Sequence, residues 1–173
     1  MSLLPDGVAY LDRAGVRFAV IGAAALAAHG ISRSTADVDL MTVDRRVLAR
    51  EFWEAFDAEP DVRPGDFEDP LAGVVRLKGQ EERSLDLIVA KYRFAAEVID
   101  RARPGIVGGM TLPVVTLPDL VLLKLFAGGP QDAWDIEQAL LTGGDSLIAT
   151  VEEQLGSVPG DARDLWQRIR RRR

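Results

Sequence analysis

The sequence predicts an α+β protein, a mixed sheet with flanking helices followed by a C-terminal helical region. Two observations lead to this class. Over residues 1–115, short apolar runs typical of strands alternate with helical segments. From residue 116 onward the strand patterns stop, and amphipathic helical patterns follow one another. We therefore expect a core over residues 1–115 and a helical region over residues 116–173, packed together as one compact unit.

The predicted strands are short runs rich in β-branched and apolar residues. The first, over residues 16–21, is stopped by Gly22, and the second, over residues 37–42, alternates acids with hydrophobic residues. Further strands are predicted at 74–78 and 84–89, joined by a polar turn at 79–83, with an extended stretch over 105–115. The segment 59–69 is rich in Pro, Gly and acids and predicts a loop.

The predicted helices are marked by apolar residues at helical spacing and by their end signals. Ala and Leu dominate residues 23–29, and Gly30 provides a natural stop. Thr116 with Asp119 three residues later has the form of a capping box. The predicted helices cover residues 23–29, 43–57, 91–101, 120–126, 130–141, 146–155 and 161–170.

Composition excludes several classes of protein. The chain has no cysteine, so disulfides and thiolate metal sites are excluded. No apolar run approaches the ~20 residues that cross a bilayer, and we expect a cytoplasmic protein without a signal segment or membrane contact. The net charge of −6 argues against a protein that coats nucleic acid by charge alone. The arginine-rich end, residues 168–173, is either a helix terminus favoured by the helix dipole or a tail that contacts RNA or another acidic partner.

Three carboxylates form the central candidate site. Asp37 and Asp39 lie two residues apart in a strand-like run, so both project from one face, ~6.6 Å apart along the strand. Asp86 lies in a second run, flanked by hydrophobic residues. If the two strands are neighbours, the three acids converge, and oxygen ligands of this kind suit Mg²⁺ or Mn²⁺. An exposed strand face on an acidic protein is the alternative interpretation.

A second pattern precedes the acids. The first strand ends at Gly22 and Ala23, where a helix begins, and such a turn presents free backbone N–H groups to an anion. Arg33 and Thr35 follow shortly before the acidic strand, where they either meet an incoming phosphate or position the strand. Phosphate at the turn and metal at the acids are the two requirements of nucleotide transfer.

At these residues the sequence resembles the DNA polymerase beta-like nucleotidyltransferase superfamily, and most closely its minimal and abortive-infection toxin types. The resemblance implies the nucleotidyltransferase fold. Ala23 stands where the family commonly has Gly or Ser, so no hydroxyl helps to bind phosphate there. The spacing from Gly22 to Asp37 suits the toxin-like branch. The segments that carry the likeness are residues 21–30, 33–40, 117–125 and 132–136, and it spans about residues 16–142.

The resemblance also implies roles for individual residues. Gly22 and Ala23 would cradle the triphosphate of an NTP substrate. Asp37, Asp39 and Asp86 would bind Mg²⁺ or Mn²⁺, and Asp86 would activate the attacking hydroxyl. The expected reaction moves a nucleoside monophosphate to a hydroxyl of an RNA end, a protein or a small molecule. A toxin role with a cognate antitoxin, a catalytically silent interaction partner and a metal-dependent phosphohydrolase are the other hypotheses.

Several other polar residues have two interpretations each. Lys124, in an otherwise apolar helix, either forms a structural brace with Asp132 or Asp135 or touches the triphosphate. Arg76 and Lys78 share one face of the strand before Asp86 and are either solvated or a source of positive charge for the pocket. His29, the only histidine, lies at the C-terminal end of its predicted helix, where the helix dipole favours an imidazolium. We expect this role rather than a chemical one.

Overall fold

The computed structural model describes residues 3–33, 37–67, 69–78, 84–92 and 94–172. Its α-helices are α1 (Leu3–Arg13), α2 (Gly22–Ala28), α3 (Ala95–Arg101), α4 (Leu117–Ala127), α5 (Pro130–Gln154) and α6 (Gly160–Arg171). Its strands are β1 (Ala19–Ile21), β2 (Val38–Thr42), β3 (Asp61–Pro64), β4 (Leu71–Lys78), β5 (Ser84–Ala90), β6 (Arg103–Val107) and β7 (Met110–Val114). The predicted turn at 79–83 lies outside the described residues.

The strands of the described part of the chain form one mixed sheet in the order β3-β4-β5-β2-β1-β7-β6. The pairs β2–β5 and β1–β7 are parallel, and the other neighbours are antiparallel. The predicted α+β class with flanking helices is therefore confirmed. The extended stretch predicted at 105–115 is a hairpin of β6 and β7, turned by Gly108 and Gly109 at positive φ.

The outer half of the sheet has two different faces. On β5, Leu85 and Leu87 are buried, and they pair with Leu77 and Val75 of β4. Helix α1 covers this face, where Gly7 lies against Leu85. Because side chains alternate along a strand, the neighbours of these residues, among them Asp86, point to the opposite face. That second face is where the candidate acids lie.

Two predictions about the first half of the chain are wrong, and one helix was not predicted. The segment 43–57 is not one helix but contains two short 3₁₀ helices, Arg45–Leu48 and Arg50–Trp53. Its apolar residues pack around Tyr10 instead, with Trp53 stacked on that ring at 5.5 Å. The segment 59–69 is not wholly a loop, because β3 pairs with β4 there. Helix α1 has no counterpart in the predictions; Pro5 and Gly7 obscure its pattern.

The C-terminal helices follow the predicted order. Thr116 caps α4, accepting a hydrogen bond from the backbone N–H of Asp119 at 3.3 Å. The helices predicted at 130–141 and 146–155 form one element, α5, which kinks at Gly144 (φ 58°, ψ −152°). One cluster of buried side chains extends from Val8 to Ile169 and so includes both predicted regions. The division at residues 115 and 116 stays a prediction. None of the described helices combines the length and apolarity that a membrane span requires.

Candidate active site

Two of the predicted acids face one another across neighbouring strands. Strands β2 and β5 are parallel, and Asp39 pairs with Asp86 in their register. Neighbouring strands lie about 4.8 Å apart, and paired residues project from the same face. The sheet therefore brings together two carboxylates that are 47 residues apart in sequence.

Asp37 joins this pair from the end of β2. It lies directly before Val38, the first residue of the strand, and its Oδ1 accepts a hydrogen bond from the backbone N–H of Ser84 at 2.8 Å. Ser84 is the first residue of β5. Asp37 thus links the starts of the two strands that carry Asp39 and Asp86.

Gly22 lies against the carboxylate of Asp39. Strand β1 passes directly into α2 at Gly22, which has φ +65°. A Cβ atom at this position would overlap Oδ2 of Asp39 and lie 3.1 Å from its Cγ. Both the backbone conformation and the contact therefore require glycine. Ala23 follows as the second residue of α2 and is half-buried.

The electrostatic environment of Asp39 disfavours its negative charge. Burial raises the pKa of Asp39 above its usual value, and the charges of Asp86 and Asp37 raise the pKa further. Lys124 and Arg76 lower the pKa and so oppose this effect in part. The cluster thus holds an excess of negative charge around Asp39.

Asp86 has a partner that pattern analysis did not identify. Arg76 lies opposite it on β4, and the guanidinium donates from Nε to Oδ1 at 2.8 Å and from Nη2 to Oδ2 at 2.5 Å. This two-bond pairing engages both oxygens of Asp86. The sequence placed Arg76 on the correct face, but only the antiparallel register of β4 and β5 gives its partner.

Lys124 lies in a buried ion network between α4 and α5. Its Nζ is 3.0 Å from Oδ1 of Asp132 and 2.6 Å from Oδ2 of Asp135. The predicted brace is confirmed, with both acids rather than one. Arg33 donates to the same Asp135 carboxylate, whose side chain is 0% exposed. The two cations predicted to meet phosphate are thus joined through one acid.

Thr35 and His29 are the remaining predicted residues. Thr35, expected to meet phosphate, lies outside the described residues. His29 ends α2, and its Nε2 lies 2.8 Å from the carbonyl oxygen of Val115. That contact fixes the end of the helix to the segment that follows β7, so the structure gives His29 a packing role.

A family comparison decides the reaction class. Residues 4–154 match a family described as "Nucleotidyl transferase of unknown function (DUF2204)". The chain belongs to this nucleotidyltransferase family. The match includes all the strands of the described sheet and the three candidate acids.

Solved structures show that this nucleotidyltransferase shares its fold with proteins of low sequence identity. The antibiotic-resistance factor ANT(2'')-Ia in solution is 15% identical with a TM-score of 0.61, covering 90% of each chain. The same factor in complex with adenylyl-2''-tobramycin is 14% identical with a TM-score of 0.59, covering 87% of this chain and 93% of that one. A protein from Thermotoga maritima described as a nucleotidyltransferase is 18% identical with a TM-score of 0.52, covering 80% and 95%. A comparison with curated proteins gave no match.

The acids of this nucleotidyltransferase fit a divalent cation in part. Among the described residues, no hydrogen bond or ion pair engages Asp39, and its pKa is raised by burial and by two neighbouring acids, a surplus of negative charge that a cation would offset. Asp86, however, is held by Arg76, and one oxygen of Asp37 is held by Ser84. Within the described ranges, no three carboxylate, imidazole or thiolate groups are arranged to hold a metal ion. Asp39 therefore suits a cation, and Asp86 suits one once Arg76 has moved.

Proposed function

We propose that this protein is a metal-dependent nucleotidyltransferase that moves a nucleoside monophosphate from an NTP to a hydroxyl acceptor. One observation carries the proposal: Asp39 and Asp86 face each other across β2 and β5, and Gly22 lies directly against Asp39. Family membership gives the reaction class. The paired acids beside the Gly22 turn support this part of the sheet as the place of reaction.

The nucleotide side of the proposed site is built on Gly22. Gly22 and Ala23 bind the triphosphate through backbone N–H groups, because neither residue has a polar side chain. Arg33 and Lys124 add positive charge from the adjoining ion network, with Thr35 as a further predicted phosphate contact. Both cations already neutralise Asp135, so we assign them to long-range attraction and positioning of the triphosphate rather than to direct contact with it.

The acids carry the chemistry. Asp37, Asp39 and Asp86 would hold Mg²⁺ or Mn²⁺, which neutralises the charge of the reacting phosphates when bound. Asp86 takes the proton of the acceptor hydroxyl, and the acceptor oxygen forms a bond to the α-phosphorus. The bond from the α-phosphorus to the oxygen bridging to the β-phosphate breaks, and pyrophosphate leaves with that electron pair. Asp39 and Asp37 repel a triphosphate by themselves, so they would act on the nucleotide only through the cation that they would hold.

The acceptor we place first is a small molecule. The ANT(2'')-Ia structure holds an adenylylated small molecule, and the present fold matches it over most of its length. An RNA end and a protein hydroxyl are the other acceptor classes. Both are in keeping with a toxin that a cognate antitoxin would restrain. The arginine-rich end of α6 supports RNA among these.

A catalytically silent family member is the second candidate function. The pairing of Arg76 with both oxygens of Asp86 favours it, because the proposed base is not available while that pairing persists. Such a protein would bind nucleotide or a protein partner without transfer.

The test compares nucleotide binding with covalent transfer. An NTP with Mg²⁺ or Mn²⁺ at 100 times its Kd should stabilise the protein by ~2.7 kcal/mol, a rise in Tm of about 5–11 °C. NTP labelled at the α-phosphate, offered with cell extract fractions, should label an acceptor and release pyrophosphate. Asp39→Asn should abolish labelling, whereas Asp164→Asn, an exposed acid on α6, should not. Binding without labelling would select the silent candidate, and release of phosphate alone would select a phosphohydrolase.

A further inference from the structure

A groove lies beside Asp86 on the accessible face of the outer strands. It has a volume of about 370 Å³, and its floor includes Val74 and Ile88, a cross-strand pair of β4 and β5. Arg76 and Asp86 form one end of it, and Arg63 of β3 forms part of its wall. This volume is within the usual range for small-molecule sites.

The groove is lined by two arginines, Arg63 and Arg76, and by two acids, Asp69 and Asp86, and Arg63 is paired with Asp61. Arg76 and Lys78 are two residues apart on β4 and so share a face, and Arg63 pairs with Val74 on that same face. Arg63 and Arg76 have side chains that are 66% and 41% exposed. Both guanidinium groups are therefore accessible to a ligand in the groove.

The pairing of Arg76 with Asp86 blocks the proposed base, and an anion that binds Arg76 would release it. Asp86 is 11% exposed, and both its oxygens accept hydrogen bonds from Arg76. While Arg76 holds both oxygens, neither is available to a hydroxyl of the acceptor. An anionic group in the groove offers the guanidinium an equivalent two-bond partner and leaves Asp86 free.

We propose that the acceptor is a small hydroxyl compound bearing a phosphate or carboxylate, and that this group takes Arg76 from Asp86. The inference rests on the nucleotidyl transfer proposed above and narrows its acceptor class. With Arg76 on the ligand, Asp86 receives the acceptor's hydroxyl proton, the acceptor oxygen bonds to the α-phosphorus, and pyrophosphate departs with the electron pair of the broken bond. Arg76 is thus a specificity-determining residue that couples acceptor charge to the availability of the base.

The first arm of the test measures binding without any nucleotide. Ribose, ribose 5-phosphate and glucosamine serve as neutral, anionic and cationic probes of similar size. NMR of arginine side chains, with the Nε–H signal of Arg76 assigned through R76K, should show a shift with ribose 5-phosphate and none with the other two. R76Q should weaken ribose 5-phosphate binding by about tenfold or more, since hydrogen bonds to charged groups are lost.

R63Q is the matched control, because it removes the same charge from the same groove without touching Asp86. It should weaken ribose 5-phosphate binding less than R76Q does. Equal effects of the two variants would show general electrostatic attraction and overturn the assigned role of Arg76. Equal binding of the three probes would overturn the anion preference, and binding of a short oligoribonucleotide but not of ribose 5-phosphate would overturn the small-acceptor assignment.

The second arm measures transfer with the same probes as acceptors. The ratio of kcat/KM for ribose 5-phosphate to that for ribose should exceed about tenfold in the natural protein and should fall towards one in R76Q. Anion binding that depends on Arg76 with no transfer to any acceptor would sustain the groove assignment and refute nucleotidyl transfer. Transfer with no dependence on acceptor charge would sustain nucleotidyl transfer and refute the groove assignment.

Discussion

Gly22→Ala tests whether the Gly22 contact positions Asp39. Gly22 has φ +65°, a conformation that costs a residue with a Cβ about 1–2 kcal/mol. The added Cβ would also overlap Oδ2 of Asp39, which must then move. At about 2–4 °C per kcal/mol for a chain of this size, the backbone term alone lowers Tm by about 2–8 °C. Displacement of the carboxylate by about 1 Å should reduce transfer by about 100-fold.

Gly15→Ala is the matched control for backbone strain. Gly15 has φ +67°, nearly the value at Gly22, and a Cβ there meets no atom within 4 Å. The two variants should therefore share the backbone cost, and only Gly22→Ala should carry the additional loss from the Asp39 contact. In an Asp39→Ala background, where the overlapping oxygens are gone, Gly22→Ala should cost no more stability than Gly15→Ala.

Thermal unfolding gives the stability of these variants, and calorimetry with an NTP and Mg²⁺ gives nucleotide affinity. If Gly22→Ala and Gly15→Ala lose equal stability and both keep nucleotide binding and transfer, the contact between Gly22 and Asp39 has no role in the site. The same conclusion would follow if the Asp39→Ala background did not reduce the cost of Gly22→Ala.

Three further predictions concern charge and hydrogen bonding. The raised pKa of Asp39 means that protonation of this carboxylate favours folding, a contribution that is present at low pH and lost as pH rises through the folded-state pKa. Asp39→Asn should therefore raise Tm at pH 7 and have no effect near pH 3. A lower Tm of this variant at pH 7 would contradict the assignment. Lys124→Met leaves Asp135 buried with one cation fewer and should destabilise by about 3–5 kcal/mol in denaturant unfolding, whereas Arg50→Met, in an exposed pair, should cost under about 1 kcal/mol. His29→Ala removes the contact with Val115 and should cost about 0.5–1.5 kcal/mol without changing transfer, and loss of transfer in this folded variant would give His29 a chemical role.

The acids were predictable from the sequence because local patterns determine them. The alternation of acids with hydrophobic residues in 37–42 fixed which face carries Asp37 and Asp39, and the flanking hydrophobic residues of Asp86 did the same for β5. That β2 and β5 are adjacent was a condition of the argument, and the parallel register now satisfies it. Their assignment as metal ligands stays a prediction.

The errors arose where non-local contacts override local periodicity. Apolar residues at helical spacing in 43–57 predicted a helix, yet the backbone forms 3₁₀ turns that direct Phe52, Trp53 and Phe56 onto Tyr10 of α1. Helix α1 itself was not predicted, so the packing of these aromatic residues on Tyr10 could not be predicted either. The pairing of Arg76 with Asp86 was also beyond prediction, because it depends on the register between β4 and β5, which the sequence of the five intervening residues does not determine.

The distribution of partners among the acids constrains the order of events in catalysis. Of the three candidate acids, Asp86 is neutralised by Arg76 and Asp37 is tied to the backbone of Ser84, whereas Asp39 accepts no hydrogen bond from the described part of the chain and has a raised pKa. A cation gains most where negative charge is least compensated, so it should bind first at Asp39, with the nucleotide beside Gly22. Asp86 can serve only after Arg76 finds another anion. The acceptor can therefore bind with or without nucleotide, and its own charge is a condition of transfer rather than of binding order.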